Sequence, residues 1–421
     1  MNIAIVSLII FAVCIILFIW DILPMATSAI LGCVAMVVFN CCDFSTAFGQ
    51  FASSTVVILV AIQVVGAAMS ETGFATAIGK VLLKFSKGRE RLIMLIAYVL
   101  ACFLSSFLTN VTVLAVFMPI IIGIGKTNKN INHMNLILPV LVASSMGGIS
   151  TLVGSSQQLT AVGLIEEVGY SVNVFDLTPV GLILSVAGLI FCLFIGYPLG
   201  KKIWGNRNVD EVNVDITQKE INKSKVIIMT IIFVLMIIGY FTNVIPVAIT
   251  AVTAALLCII TGCVKQKDAV SKVNWDVVGR LGACLGIAKA LTKAGGINIL
   301  SSWLVNMFGE NMTPLGLFVI GVLLTQVLSL VISNSTAILL VLPIIISLAP
   351  EMNLNLLPYC LGISYASSCG LCCPLSGSTV TMSMAAGYKF RDYFKYGIIF
   401  DVICFILIVG ITPLIFPLTL N

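Results

Sequence analysis

The chain is a succession of long uncharged apolar runs parted by short polar breaks. Runs of 17 residues or more read as helices that span a bilayer. The pattern predicts helices over about 3–20, 24–40, 52–70, 134–168 and 178–199, and again over about 225–241, 246–263, 275–292, 357–387 and 396–418. Two further stretches, 92–125 and 314–347, carry apolar arms around a polar tip, Thr109-Asn110 in one and Ser333-Asn334 in the other. A polar tip in hydrocarbon is tolerated only against protein or water, so each stretch predicts a re-entrant hairpin. The fourth helix of each set is predicted to be broken, at 147–156 and at 370–379, where glycines and hydroxyl residues let the backbone unwind.

The second set copies the first. LSSFLTNVTVLAVFMPI (Leu104 to Ile120) recurs as LSLVISNSTAILLVLPI (Leu328 to Ile344), 224 positions later. ASSMGGISTLVGSS (Ala143 to Ser156) recurs as ASSCGLCCPLSGST (Ala366 to Thr379) at an offset of 223, and Leu23-Pro24-Met25-Ala26 matches Ile245-Pro246-Val247-Ala248 at 222. Five crossings per half is an odd number, which forces the second copy to be inverted. The expected fold is an all-α polytopic membrane protein of two inverted five-helix repeats, 1–199 and 225–421, each with a hairpin and a broken helix, joined by a charged linker at 200–224. Duplicated apolar halves with polar, Gly-rich breaks at matching places point to a secondary transporter.

The charges orient this arrangement. With the linker in the cytoplasm, 20 of the 22 lysines and arginines fall on the cytoplasmic side, Lys289 and Lys293 being the exceptions. Segments 166–177 and 349–358 carry Glu166, Glu167, Asp176 and Glu351 without a base, as outer loops should. Both termini, Asn421 included, are expected outside. Stretches 72–91 and 294–309 are expected to be interfacial amphipathic helices, with a plain loop equally open for the second. The first run has no basic n-region and no cleavage site, so it reads as a retained helix.

Sixty per cent apolar residues, 9% charged residues and a mean hydropathy of +1.16 exclude an ordinary soluble globule. The 14 cysteines are scattered through apolar runs as packing residues. Cys369 and Cys372 form a CxxC, but with one histidine, His133, and no second thiol pair nearby no zinc-type ligand set is expected. The net charge of +5 follows from topology and implies no nucleic-acid partner.

If each tip meets its own broken helix, each half makes a pocket of hydroxyls, an amide and free carbonyls. That inventory suits a hard cation such as sodium. Helix N-termini freed at the breaks carry partial positive charge suited to an anion. No carboxylate and no basic residue is expected beside the tips or breaks. Ser106 is expected only to bond back to its own helix, and Asp401 to be an interfacial residue paired with Lys395.

At these residues the chain resembles the divalent anion:sodium symporters of the wider ion transporter superfamily. Those proteins carry Ser-Asn-Thr at each tip with a serine four residues before it, and a Gly-Gly-x-x-Thr-Leu-x-Gly loop in the first broken helix. Here the tips read Thr109-Asn110-Val111 after Ser105 and Ser333-Asn334-Ser335 after Ser329. The loop reads Gly147-Gly148-Ile149-Ser150-Thr151-Leu152-Val153-Gly154, and Phe175-Asp176-Leu177-Thr178-Pro179 follows. The resemblance spans the chain, apart from an extra N-terminal helix of larger members. It implies an elevator-type homodimer in the cytoplasmic membrane that couples a small anion to sodium, with no other cofactor. It also implies sodium ligands at Ser105, Thr109, Asn110 and Gly154 and at Ser329, Ser333, Asn334 and Gly377. The anion is expected at Thr109, Asn110, Ser155, Ser156, Ser333, Asn334, Ser335, Ser378 and Thr379. The departures, Val111 and Ser335 for threonine and Gln157-Gln158 and Val380-Thr381 where Pro-Asn is usual, leave dicarboxylate, tricarboxylate, monocarboxylate, sulfate or another oxyanion open. Cation/proton antiport and arsenite-type efflux, known in the same superfamily, are the alternatives. A passive channel and a membrane enzyme fit less well, since paired hairpins occlude a pore and no catalytic cluster is visible.

Overall fold

A computed structural model of the chain describes residues 3–20, 23–74, 77, 89–128, 131–204, 222–242, 244–296, 299, 313–374 and 376–420. The helices fall into two series of the same order. The first comprises α1 (Ile3–Trp20), α2 (Met25–Val38), the short α3 (Phe44–Phe48), α4 (Ser54–Glu71), α5 (Glu90–Ser105), α6 (Asn110–Thr127), α7 (Met134–Gly148), α8 (Ser156–Glu166) and α9 (Thr178–Phe191). A π-helical turn at Cys192–Gly196 carries α9 into α10 (Tyr197–Trp204). The second comprises α11 (Lys223–Thr242), α12 (Val247–Ile260), the short α13 (Gln266–Ser271), α14 (Trp275–Lys293), α15 (Pro314–Ser329), α16 (Asn334–Met352), α17 (Leu356–Ser368), α18 (Ser378–Ser383) and α19 (Phe390–Ile415). The stretches Phe44–Glu71 and Thr178–Trp204 and helices α11, α16 and α19 are long and apolar enough to cross a membrane. The chain is a multi-pass membrane protein.

Matching residues start matching helices. Pro24 and Pro246 stand at the N-caps of α2 and α12. Ser53 and Asn274 cap α4 and α14 by accepting from Val56 N and Val277 N. The two series interlock by exchange: α2 packs on α14 while its counterpart α12 packs on α4, and α8 packs on α16 while α18 packs on α6. Within each series α5 packs on α7, and α15 on α17. Helices α9 and α19, the last of each series, pack against each other.

Contacts sort the turns into two groups. At one end the C-terminal residues pair with the turn after α16, through Asn355 N to Leu418 O at 2.9 Å and Leu420 N to Asn353 O at 3.0 Å. Tyr170 accepts from Leu356 N there, and Lys289 pairs with Glu167 and Lys293 with Asp43. The lysines that break the charge pattern are therefore matched by carboxylates. At the other end Lys272 pairs with Glu71, Lys201 with Glu90, and buried His133 contacts the Ala386 carbonyl through Nε2.

Some boundaries differ from expectation. Helix α19 begins at Phe390, six residues before the predicted start, because Asp392 caps it by accepting from Lys389 N. The helix of 178–199 runs on to Trp204, whose indole donates to Asn135. Residues 205–221 of the linker, and most of the two stretches expected to be interfacial helices (75–76, 78–88, 297–298 and 300–309), lie outside the described residues.

Candidate functional site

The two tips are built alike. The chain leaves α5 at Ser105, turns, and starts α6 at Asn110 with Thr109 as cap; it leaves α15 at Ser329 and starts α16 at Asn334 with Ser333 as cap. Thr109 Oγ1 accepts from Thr112 N at 3.4 Å and contacts Thr112 Oγ1 at 2.8 Å. Ser333 repeats this with Thr336, at 3.4 Å and 2.7 Å. Ser106 bonds back to the Cys102 carbonyl at 3.0 Å, as expected.

Each broken helix faces its own tip. The first break separates α7 from α8 and is held by Thr151 Oγ1, which donates to the Ser106 carbonyl, and by Thr178 Oγ1, which donates to Ser150 O at 2.8 Å. Glycine is required for this approach. A Cβ on Gly148 would lie 2.1 Å from Asn110 Oδ1, and one on Gly154 would lie 2.6 Å from the Ser105 carbonyl. The second break separates α17 from α18. Ser376 Oγ donates to the Gly370 carbonyl, and Gln326 Nε2 bridges the carbonyls of Cys369 and Asp401 at 3.1 and 2.9 Å.

Asp401 corrects one expectation. It is 5% exposed, and its carboxylate accepts from Leu371 N at 2.8 Å and Cys372 N at 2.9 Å. It does not pair with Lys395. A carboxylate therefore does stand at a break. The cause is Gly397, one turn earlier, which lets α19 approach the unwound backbone so closely that a Cβ there would lie 2.5 Å from Cys372 N.

Between the tips lies a cavity of about 40 Å³, lined by Asn110, Ser145, Gln157, Asn334, Ser368, Ser376, Ser378 and Thr379, with Gly370, Gly377, Val142, Leu371, Val380 and Phe400. Among the described residues no charged side chain lines it. Its volume suits a water or a small ion. A wider cleft of about 480 Å³ holds Thr109, Thr112, Ser156 and Ser378 together with Gln63, Ser70, Lys272 and Asn274. Ser378 is common to both.

The expected ligands are thus distributed unevenly. Asn110, Asn334, Gly377, Ser378 and Thr379 converge on the inner cavity, and Thr109, Ser156 and Ser378 on the cleft. Ser105 donates to Asn110 Oδ1 at 2.9 Å. Ser329 instead donates to the Gln326 carbonyl at 2.8 Å, while Asn334 Oδ1 is buried without a hydrogen-bond partner. Ser155 Oγ is also buried and unpartnered, and Ser335 is buried but lines neither space.

The expectation that no basic residue stands near the tips is overturned. Arg280 Nη1 donates to Ser333 Oγ at 3.2 Å and lies 3.3 Å from Met25 Sδ, and Lys272 lines the cleft. Packing of α14 on α2 brings Arg280 to a tip 53 residues away in sequence. Three polar lining residues escaped the sequence reading, Ser145, Ser368 and Ser376, while Gln157 was noted only as a departure from the family's loop. Ser145 and Ser368 are matched at the repeat offset of 223, so a signal for them existed.

A profile of the citrate transporter family matches residues 15–278 and 241–420. The chain is 29% identical over 209 residues to an uncharacterized transporter of Synechocystis sp., covering 49% of this chain and 33% of that protein. It is 24% identical over 310 residues to an uncharacterized transporter of Methanocaldococcus jannaschii, covering 72% and 69%, and 24% identical over 163 residues to the human P protein, covering 37% and 18%. The chain spans about a third of the length of the curated relatives it matches first, 33% and 30%. The YdaH transporter of Alcanivorax borkumensis has the same fold, with a TM-score of 0.66 at 11% identity over 88% of this chain and 87% of that one. The matched family is one of transporters, not of enzymes. The earlier resemblance is thereby narrowed within the ion transporter superfamily: the chain belongs to the citrate transporter family.

Proposed function

We propose that this secondary transporter is a sodium-coupled symporter of a small carboxylate, citrate being the substrate the family suggests. One observation carries the reading: an ion-sized cavity lined by neutral oxygen and amide groups of both halves opens beside a substrate-sized cleft, and Ser378 borders both. Sodium wants several oxygen ligands and needs no carboxylate, which the inner lining offers. Its charge would stand at the base of the cleft, where the anion is met by Thr109, Ser156 and Ser378 and by the N-termini of α6 and α8. Anion affinity then depends on the cation, so neither leaks alone. Lys272 and Arg280 add positive potential at the rim and at the second tip.

The reading includes the inverted arrangement 1–199 and 225–421 with the linker cytoplasmic, in a homodimer of elevator type in the cytoplasmic membrane. What supports the orientation is that both exceptional lysines meet acids, Glu167 and Asp43, at the end where Asn353 and Asn355 hold the C-terminal residues. The test is uptake of labelled citrate into proteoliposomes with sodium, potassium or choline outside. Uptake is expected only with an inward sodium gradient. Equal uptake in choline would overturn the sodium assignment.

Asp401 favours a second reading, proton coupling. A buried carboxylate within a membrane helix is a place for a transported proton, and this one fastens the second break. Under that reading uptake in choline follows an inward proton gradient and disappears in Asp401→Asn. Under the first it follows sodium in both proteins.

A further inference from the structure

Where α10 and α19 meet, at the end opposite the C-terminal residues, a cleft of about 500 Å³ is lined by Lys202, Lys389, Arg391 and Lys395. Its walls are Leu199 and Ile203, and its one acid among the described residues is Asp392. Asp392 is buried and accepts from Lys389 N at 2.8 Å in capping α19. The four cations are exposed, and among the described residues none of them pairs with a carboxylate. Lys201 and Lys272, at the same end, do pair, with Glu90 and Glu71. The excess of bases on the cytoplasmic side explains how many cations lie here. It does not explain why four of them surround one cleft unpaired.

The surface running into the membrane from this cleft is apolar. Phe390, Phe394 and Ile398 recur every four residues along one face of α19 and are 56%, 55% and 38% exposed. Phe194 and Ile195, in the π-helical turn before α10, are exposed as well, Phe194 at 74%. A basic cleft continuous with an apolar helix face matches a ligand with an anionic head and apolar tails. Arginine and lysine bind phosphate oxygens by charge-assisted hydrogen bonds, and juxtamembrane cations add affinity for anionic lipid. We propose that this cleft is a binding site for a phospholipid with an anionic headgroup, held by Lys202, Lys389, Arg391 and Lys395, with its acyl chains along Phe390, Phe394 and Ile398.

The site is separate from the transport cavity, so the proposal stands whichever ion is coupled. Because α19 also carries Asp401, which fastens the second break, an occupied headgroup site would bear on the helix that shapes the inner cavity.

The test is native mass spectrometry of the full chain released from nanodiscs of phosphatidylcholine with increasing phosphatidylglycerol. The wild-type protein is expected to retain phosphatidylglycerol, and K389Q/R391Q/K395Q to need about a hundredfold more, at roughly fivefold per cation removed. A control with three cations removed elsewhere, K223Q/K265Q/K267Q, is expected to retain the lipid as wild type does. Equal loss in both triple variants would reduce the effect to general surface attraction and overturn the site. Displacement of the lipid by inorganic phosphate at equal concentration would overturn the role of the apolar face. If the first triple variant does not fold, R391Q alone decides: a fivefold loss is expected, and no loss sinks the proposal.

Discussion

Asn110 and Asn334 occupy the same place in two copies of one hairpin, and their surroundings differ. Asn110 Oδ1 takes a hydrogen bond from Ser105 and lies against Gly148, with no room for another atom between. Asn334 Oδ1 is buried and unpartnered, Ser329 turns away to its own helix, and Gly377 stands off at ordinary contact distance. A buried carbonyl left unpaired costs about 1–3 kcal/mol, which a bound cation would recover. The first tip is satisfied by the protein, whereas the second keeps a buried acceptor unpaired. Under the proposed sodium coupling, sequence symmetry yields two positions of unequal readiness, the second gaining more from the ion.

The largest expected effect tests the tightness of the first tip. Gly148→Ala would put its methyl into Asn110 and should abolish uptake. Gly377→Ala meets its nearest atom, Asn334 Nδ2, at 3.4 Å and its φ of 170° is open to any residue, so it should leave uptake within about threefold of wild type. Equal losses, measured as citrate uptake per folded transporter, would show that the two tips are held alike.

The asparagines come next. Asn110→Ala leaves Ser105 Oγ buried without its acceptor and should lower stability by about 1–3 kcal/mol, whereas Asn334→Ala deletes an unpaired group and should leave thermal unfolding in detergent unchanged. Both should weaken sodium activation, by about ten- to a hundredfold, since each removes a charge-assisted ligand. The comparison collapses if Asn334→Ala is the less stable protein.

The architecture was legible in the sequence because long apolar runs, Gly-rich breaks and internal duplication are local signals. The helical, multi-pass character, the turns at Thr109-Asn110 and Ser333-Asn334 and both breaks follow from them, while the re-entrant course of the arms and the inversion of the halves belong to the elevator proposal. Contacts between distant segments were not legible. Asp401 looked interfacial because α19 was placed to begin near Lys395; with its start at Phe390 the carboxylate lies about 16 Å along the helix, at 1.5 Å per residue. Gly397 was the clue, as a glycine one turn from a charge marks close backbone approach. Arg280 was assigned to its helix end by charge counting, which is blind to the direction a side chain takes. Ser145 and Ser368 were present in the aligned repeats, but serine in a membrane helix so often bonds to its own backbone that spacing alone did not single them out.

Arg280 offers the finest test of the asymmetry, because the matching position in the first half is Leu59. Arg280→Leu therefore gives the second tip the neutral neighbour that the first already has. A guanidinium at Ser333 attracts the anion and repels a cation bound at Asn334, so the substitution should move the two affinities in opposite directions. Arg280 is only partly buried, which limits each change to about 1 kcal/mol, or roughly fivefold. Half-saturating citrate should rise and half-saturating sodium should fall, both read from uptake kinetics at fixed membrane potential. A parallel weakening of both would mean that Arg280 only supports the shape of the tip. No change in either would mean that the second tip does not feel its charge, and that the difference between the tips lies in Asn334 and Ser329 alone.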